Sequence, residues 1–214
     1  MPRRSATCPN CGAPIQFLWS SAVQTTCPFC RSILVRHDVD LEKVGEVGDL
    51  PPSPSPIQLG TQGVYRGTAF TAVGRILYEY ERGGWNEWHL RLDDGTGAWL
   101  SDAQAEYAVT RAVEEAAPLP SAGALRVGQT LTVAGRSFRV ATLTRARYRG
   151  VEGELPFEYW NKREVLFADL EAPGAQFGTL DYSDGDDTPT LYVGEWLDFD
   201  ELHLSNLREL EGWS

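Results

Sequence analysis

Cysteine is scarce in this chain and is confined to one short segment. The 214 residues include four cysteines, Cys8, Cys11, Cys27 and Cys30, and none follows residue 30. Thiol catalysis elsewhere in the chain is therefore excluded, because it requires a cysteine nucleophile. No apolar run precedes the first cysteine, so we expect no signal peptide and a cytoplasmic protein whose thiols stay reduced rather than forming disulfides.

Long hydrophobic runs are also absent. No stretch reaches the roughly 18 apolar residues of a transmembrane helix, so we expect no membrane insertion. The composition, 42% apolar and 23% charged residues, is typical of a folded globular chain.

Acidic residues are missing from residues 1–37, which contain four of the 19 basic residues: Arg3, Arg4, Arg31 and Arg36. The remaining chain therefore combines 15 basic residues with all 30 acidic residues, a charge near −15. Nucleic-acid binding depends largely on neutralising phosphates, and such a body would repel them. This negative charge argues against nucleic-acid binding. We keep nucleic-acid binding as the first alternative function because many zinc ribbons bind nucleic acids.

Catalytic signatures are absent as well. The chain has no G-x-S-x-G, H-E-x-x-H, P-loop or dinucleotide fingerprint, and we predict that it is not an enzyme. Paired carboxylates, such as Glu79 with Glu81 or Glu87 with Asp93, leave a carboxylate-dependent hydrolase as the second alternative. The segment DYSDGDD, residues 181–187, lacks the order of a calcium loop, and we interpret it as a solvated acidic turn.

The four cysteines form two C-x-x-C pairs separated by fifteen residues. This spacing is typical of a structural zinc site, in which four thiolates complete a tetrahedron and leave no position for water. We predict one structural zinc ion per chain, bound by Cys8, Cys11, Cys27 and Cys30. Iron in a rubredoxin-like site would use the same ligands and stays open. The segment resembles the zinc-ribbon group, and we assign residues 1–37 to a zinc ribbon.

Residues 38–56 are acidic and proline-rich, and we predict a linker there. Its PPSPSP stretch, residues 51–56, favours an extended and semi-rigid backbone. We expect this spacer to keep the ribbon apart from a body of residues 57–214 that folds without it.

Short segments rich in aromatic and β-branched residues fill the chain from Gly60 onward, with hairpin-turn signals at ERGGWN and DDGTG. We predict a mainly β protein, in which the ribbon precedes an antiparallel β body that is barrel-like or sandwich-like. For residues 101–118 we expect a brief helical turn and then a strand. Similar orders of strands and turns begin at Phe70 and Phe138, which leaves open two related β units at 57–118 and 119–214.

Two candidate partner-binding surfaces stand out in the body. In WNEW, strand alternation puts Trp85 and Glu87 on one face and Trp88 on the other. We predict that Trp85 and Glu87 contact a partner and that Trp88 is a core residue. The second surface consists of three alternating arginines that share one exposed strand face and suit an acidic protein: Arg145, Arg147 and Arg149.

Several motifs carry a resemblance to a known family. FTAVGRILYEY (residues 70–80), GGWNEW (83–88), DDG (93–95) and WLS (99–101) are followed later by GELP (153–156), ADL (168–170) and DYSDG (181–185). Together they resemble the bacterial domain of unknown function 4178 over most of residues 57–205. The resemblance implies a preceding ribbon, which is common in that family, and a setting near membrane-stress or transport-associated proteins. It implies no catalytic residues.

These observations together predict a non-enzymatic adaptor or scaffold. The closed metal site leaves no open coordination position, and the body lacks a catalytic motif. We therefore expect the β body to hold one protein partner and the ribbon to engage another.

Overall fold

The computed structural model describes residues 5–37, 40–48, 50–51, 54–115, 117–159, 164–185, 187 and 189–210. The mainly β class is confirmed, because strands and two short 3₁₀ turns are the regular elements of the described ranges, which contain no α-helix. Residues 1–4 of the predicted ribbon and residues 38, 39, 49, 52 and 53 of the predicted linker lie outside the described residues.

The first five strands build two small antiparallel sheets. One sheet pairs β1 (Ser5–Thr7) with β2 (Pro14–Gln16), and the other has the order β3 (Gln24–Thr26), β4 (Ser32–His37), β5 (Asp40–Glu46). Strand β5 lies within the stretch predicted as linker, yet it pairs with β4 along its length. The ribbon sheet therefore extends past residue 37, while the division into domains stays a prediction.

The other ten strands form one large antiparallel sheet. They are β6 (Gln62–Tyr65), β7 (Thr68–Tyr80), β8 (Gly83–Leu92), β9 (Gly97–Ala103), β10 (Glu106–Val113), β11 (Thr130–Val133), β12 (Arg136–Gly153), β13 (Glu164–Ala172), β14 (Gln176–Asp181) and β15 (Thr190–Leu197). Short 3₁₀ turns occur at Ala122–Ala124 and Phe199–Leu202.

This sheet curls into a closed ring of eight strands. Its order is β11-β12-β13-β14-β15-β10-β9-β8-β7-β6, and a further pairing of β12 with β7 closes the ring. Strand β12 achieves this because its first part pairs with β13 and its last part with β7, and Arg147 has a partner in both. The body thus takes the barrel-like form of the prediction.

The predicted helical turn in residues 101–118 is wrong. Strands β9 and β10 are joined directly by Gln104 and Ala105, which have φ values of 53° and 67°. Left-handed backbone conformations at both positions make a tight hairpin turn, although residues other than glycine and asparagine rarely adopt these conformations.

The ten-stranded sheet consists of two halves with the same strand order, β6–β10 and β11–β15, and the last four strands of each half form the ring. The Gly60 N–H donates to the Ala72 carbonyl at 2.8 Å, and the Gly128 N–H donates to the Val140 carbonyl at 2.8 Å. Both long strands are entered through a two-residue turn with positive φ, at Arg66 and Gly67 and at Ala134 and Gly135. The similar orders of segments beginning at Phe70 and Phe138 therefore correspond to a repeat of topology within one sheet.

The outward-pointing faces of these strands are apolar and are covered by other segments. Trp88 belongs to a buried cluster on β6–β10 that packs against Ile57 and Leu202. A second cluster on β12–β15 packs against Leu125 and Leu119. The inner faces contribute a third buried cluster, which includes Ile76, Tyr78, Trp99, Tyr148 and Phe167.

Candidate functional site

The four cysteines of the ribbon converge on one point. Their Sγ atoms all lie within 4.8 Å of one another, with separations of 3.7 Å for Cys8 and Cys30 and 3.8 Å for Cys11 and Cys27. A tetrahedron with metal–sulfur bonds of about 2.3 Å has edges of about 3.8 Å. All four thiols are free. The predicted ligand set is therefore assembled in a geometry that fits one metal ion.

Each cysteine pair sits in the same kind of backbone turn. The Gly12 N–H donates to the Cys8 carbonyl and the Arg31 N–H donates to the Cys27 carbonyl, both at 2.9 Å. Gly12 has a φ of 76° and Arg31 a φ of 60°, so an arginine takes the left-handed conformation that glycine takes in the first turn. The two turns are therefore near copies of one another.

The environment of one ligand favours the thiolate form. The Ser32 hydroxyl lies 3.2 Å from Cys30 Sγ, and this contact is the main reason that the pKa of Cys30 is lowered to about 5. A deprotonated thiol is the form that binds metal.

The ribbon packs directly on the ring through a buried carboxylate. Glu154 accepts hydrogen bonds from the backbone N–H groups of Leu18 at 2.6 Å and Trp19 at 2.7 Å. Burial raises the pKa of Glu154, and the two hydrogen bonds oppose that rise. The expectation that the spacer keeps ribbon and body apart is therefore wrong for this face of the ribbon.

A buried glutamine adds a second connection between the ribbon and the body. The Gln24 side chain donates to the Tyr159 carbonyl at 3.0 Å and accepts from the Tyr159 N–H at 2.7 Å. Beside it, the Val23 N–H donates to the Leu155 carbonyl at 2.9 Å. The amide side chain thus continues the backbone pairing between the ribbon and the segment that follows β12.

The ring encloses a cavity of about 400 Å³ to which all eight of its strands contribute. Gly84, Gln104 and Glu106 line it and are exposed, so the cavity is open to solvent. Its walls are rich in aromatic side chains: Tyr78, Tyr80, Trp85, Trp99, Phe157, Phe167, Phe177, Tyr192 and Trp196. We call this space the ring cavity.

Three carboxylates of the ring wall face the ring cavity: Glu87, Asp169 and Asp181. Glu87 Oε1 accepts from Trp85 Nε1 at 2.9 Å, and Ser101 Oγ donates to both carboxylate oxygens of Glu87 at 2.9–3.0 Å. Asp169 accepts from the Thr142 hydroxyl at 2.6 Å. Asp181 accepts from the Ser183 N–H at 2.8 Å. Each carboxylate is therefore held in place by at least one donor.

Enclosure in the ring raises the pKa values of the three carboxylates. Burial raises the pKa of Glu87 to about 8, with the nearby Asp169 and Asp181 adding to the rise and the hydrogen bonds from Ser101 and Trp85 opposing it. Burial likewise raises the pKa of Asp181 to about 6 and raises the pKa of Asp169. The pKa of each group rises because a charged carboxylate is poorly solvated inside the ring.

Two of the acids occupy corresponding places in the two halves of the ring. Glu87 lies opposite Ser101 in the β8–β9 pair, and Asp169 lies opposite Thr179 in the β13–β14 pair. The repeat of topology therefore brings an acid and a hydroxyl to the cavity from both sides.

The sequence prediction about WNEW is confirmed in its geometry. Trp85 and Glu87 share a face of β8, and Trp88 lies on the opposite face, where it is 1% exposed. The shared face, however, is the wall of the ring cavity and not an outer surface. Binding of a protein partner by Trp85 and Glu87 stays a prediction.

The predicted arginine surface is exposed as expected. Arg145, Arg147 and Arg149 are all exposed on β12, and the intervening Ala146 and Tyr148 are buried. Arg149 Nε lies 3.7 Å from Glu79 Oε2, an ion pair at the surface. The three arginines thus share one solvated strand face.

Of the four carboxylates that the sequence suggested as pairs, Glu87 is the one among the cavity-lining residues. Glu79 and Glu81 are exposed, and Asp93 follows the end of β8, six residues from Glu87. Asp181, predicted to lie in a solvated turn, instead ends β14 and lines the ring cavity.

Sequence reasoning did not identify Asp169. The alternation of Phe167, Asp169 and Glu171 against Leu166, Ala168 and Leu170 is its local signal. That alternation predicts that Phe167, Asp169 and Glu171 share one face of the strand, but it does not indicate that this face points into a ring.

Comparison with known proteins places most of the body in one family. Residues 58–199 match the family model described as a domain of unknown function (DUF4178), and the chain belongs to that family. No curated protein and no solved structure matches the chain. Within the described ranges, no helix has both the length and the apolar character needed to cross a membrane.

Proposed function

We propose that this member of the DUF4178 family is a non-enzymatic binding protein whose ring cavity holds a small molecule. The observation that carries the proposal is the open cavity of about 400 Å³ at the centre of a ring whose outer faces are well packed. Ligand sites in proteins are typically concave, largely apolar spaces with a few placed polar groups. The aromatic walls and the hydrogen-bonded acids of the ring cavity meet that description.

The ribbon has a structural role in this proposal, with zinc as its metal. Four thiolates saturate a tetrahedral ion and leave no position for a reacting water. The ribbon fixes the segment around Glu154 and Tyr159, next to Phe157 in the cavity wall. Reduced thiols fit a cytoplasmic location, which belongs to the same proposal.

A cavity-filling substitution tests the proposed function. Protein purified from its native cell would be denatured, and the released small molecules would be identified by mass spectrometry. Thr144→Phe places a ring in the cavity and should abolish the release of the ligand, whereas Thr132→Phe at an exposed position of β11 should not. Equal release from both variants would contradict a ligand in the ring cavity.

A protein-binding adaptor is the second candidate function. Phe29, in the second cysteine turn, is 69% exposed, and exposed aromatic side chains are frequent anchors of protein interfaces. Together with the arginine face of β12, it offers two outer surfaces, and membrane-stress or transport-associated proteins are the partners we would look for first. Affinity capture that loses a specific protein on Phe29→Ala would support this function, and unchanged capture would argue against the ribbon surface.

A further inference from the structure

We propose that the ring cavity binds a small organic cation, with Glu87, Asp169 and Asp181 supplying the negative charge and the aromatic walls surrounding the charged group. The inference rests on the proposed function, because it names the class of ligand that the same cavity would hold.

The first argument is the charge of the cavity. Its lining contains three half-buried carboxylates and a fourth acid, Glu106, at the opening, while none of the lining residues is a lysine, arginine or histidine. Carboxylates enclosed without a cationic partner are unfavourable in their charged form. A positively charged ligand would supply the missing partner, whereas an anion would add to the repulsion.

The second argument separates an organic cation from a metal ion. Among the described residues, the ribbon cysteines are the group of metal-binding side chains whose ligand atoms lie within 4.8 Å of one another, and Glu87, Asp169 and Asp181 do not form such a group. Their oxygens are therefore spread too widely to coordinate one ion directly. A molecule that extends across the cavity can approach several of them.

The third argument is the arrangement of rings around Glu87. Trp85, which donates to Glu87, stacks on Tyr78 with a centroid distance of 5.1 Å, and Phe167 stands edge-on to Trp85 at 5.4 Å. Faces of aromatic rings attract cations, and such walls recognise quaternary ammonium groups in particular. Carboxylates and aromatic faces next to each other favour an ammonium group more than a neutral polar group.

The unused hydrogen-bonding capacity of Glu87 also favours a ligand with an N–H donor. A carboxylate can accept about four hydrogen bonds. Glu87 accepts from two side chains, Trp85 and Ser101, in the structure. An N–H donor of a ligand could therefore be added without breaking these bonds.

The titration of Glu87 predicts that the affinity of the ring cavity for a cation depends on pH. The titratable groups that face Glu87 are Asp169 on β13, Asp181 on β14, Tyr78 on β7 and Tyr192 on β15. None of them supplies a positive charge. A cation binds better to the ionised carboxylate, and the pKa of Glu87 is about 8 in the free protein, so affinity should rise as the pH rises towards 9.

The test is calorimetric titration with choline and with its uncharged carbon analogue 3,3-dimethylbutan-1-ol. Choline keeps its charge at every pH, so any pH dependence reports the protein. We expect choline to bind at least tenfold more tightly than the alcohol at pH 9, and to lose up to about a hundredfold in affinity at pH 6, where about 1% of a group with a pKa near 8 is ionised.

Two variants locate the charge that matters. Glu87→Gln keeps the shape of the side chain and should weaken choline binding at least tenfold and remove most of its pH dependence. Glu164→Gln, at an exposed position of β13 outside the cavity, should change the affinity less than twofold. Far-ultraviolet circular dichroism would confirm that both variants are folded.

The outcomes separate this inference from the proposed function. Equal binding of the alcohol and choline would overturn the proposal that the ligand is a cation, and so would choline binding that Glu87→Gln leaves unchanged. In either case, a ligand that is released by wild type and lost in Thr144→Phe would still support a binding cavity. Binding of calcium chloride at Glu87 without binding of choline would overturn the inference in favour of a metal site. If neither probe binds, the inference fails, and the release experiment decides the proposed function by itself.

Discussion

The ribbon and the ring both gather groups that can carry negative charge, but they gather them in different ways. In the ribbon, four sulfur atoms lie within 4.8 Å of one another and fit a single small ion. In the ring, three carboxylates are spread around a cavity of about 400 Å³ among aromatic side chains. The spacing differs between the two regions: the sulfur atoms fit one metal ion, and we propose that the more widely spaced carboxylates face a molecule.

The two regions also differ in what stabilises them. The ribbon buries a small cluster that includes Cys8 and Cys27, and we expect metal binding to provide much of its folding free energy. The ring has solid cores on its outer faces and can therefore leave its centre partly open. A protein can keep charged groups in a cavity only if packing elsewhere stabilises the fold.

The largest expected effect is the loss of the metal from the ribbon. Cys27→Ser removes one buried ligand, and structural zinc contributes about 10–16 kcal/mol to the folding of small zinc modules. Elemental analysis of untagged protein should find close to one equivalent of zinc per chain in wild type and almost none in the variant. The strands of the ring should persist in circular dichroism. A metal-free wild type with intact free thiols would contradict the metal site.

The two neighbouring tryptophans of β8 allow the outer core and the cavity wall to be compared. Trp88→Ala should lower the free energy of unfolding by about 3–5 kcal/mol, because a fully buried ring is removed from a packed core. Trp85→Ala should cost clearly less, because Trp85 is half-buried and borders an open space. Urea titration of both variants measures the difference. Equal losses of stability would mean that the inner face is as tightly packed as the outer one.

A smaller effect concerns the junction of ribbon and ring. Glu154→Gln replaces a charged acceptor and leaves one of the two backbone donors of Leu18 and Trp19 poorly bonded, at a cost of about 1.5–3 kcal/mol. Amide hydrogen exchange at these two residues should become faster, while the exposed Glu158→Gln should leave it unchanged. Unchanged exchange in Glu154→Gln would show that the ribbon does not depend on this contact.

The last expected effect is a change in the pH dependence of stability. The pKa of Glu87 is raised in the folded protein, so its folded form binds the proton more tightly than the unfolded form, and stability falls as the pH rises from about 4.5 to about 8. Glu87→Gln should remove this part of the decline, which thermal unfolding at several pH values would detect. A decline of the same size in the variant would assign it to other groups.

The metal ligands could be predicted from the sequence because their spacing is local. Two short turns place Cys8, Cys11, Cys27 and Cys30 together, and each turn is encoded by neighbouring residues. The wrong prediction of a helical turn is the opposite case, because Gln104 and Ala105 adopt left-handed conformations that their residue types do not indicate.

The carboxylates of the cavity could not be grouped from the sequence. Glu87 and Asp169 are brought together by the pairing of distant strands, β12 with β7, which no local pattern specifies. Alternation separates the two faces of β8, but the more apolar face with Trp88 is the outer one, because Ile57 and Leu202 cover it. A rule that places the apolar face inside would therefore assign the cavity wall to the surface.

The central claim is that a cationic molecule occupies the ring cavity, and nuclear Overhauser contacts between bound choline and the protein test it most directly. We predict contacts from the choline methyl protons to the indole protons of Trp85 and Trp99, and their loss in Thr144→Phe. Contacts confined to outer residues, such as the exposed Phe29 or the arginine face of β12, would contradict a ligand site inside the ring.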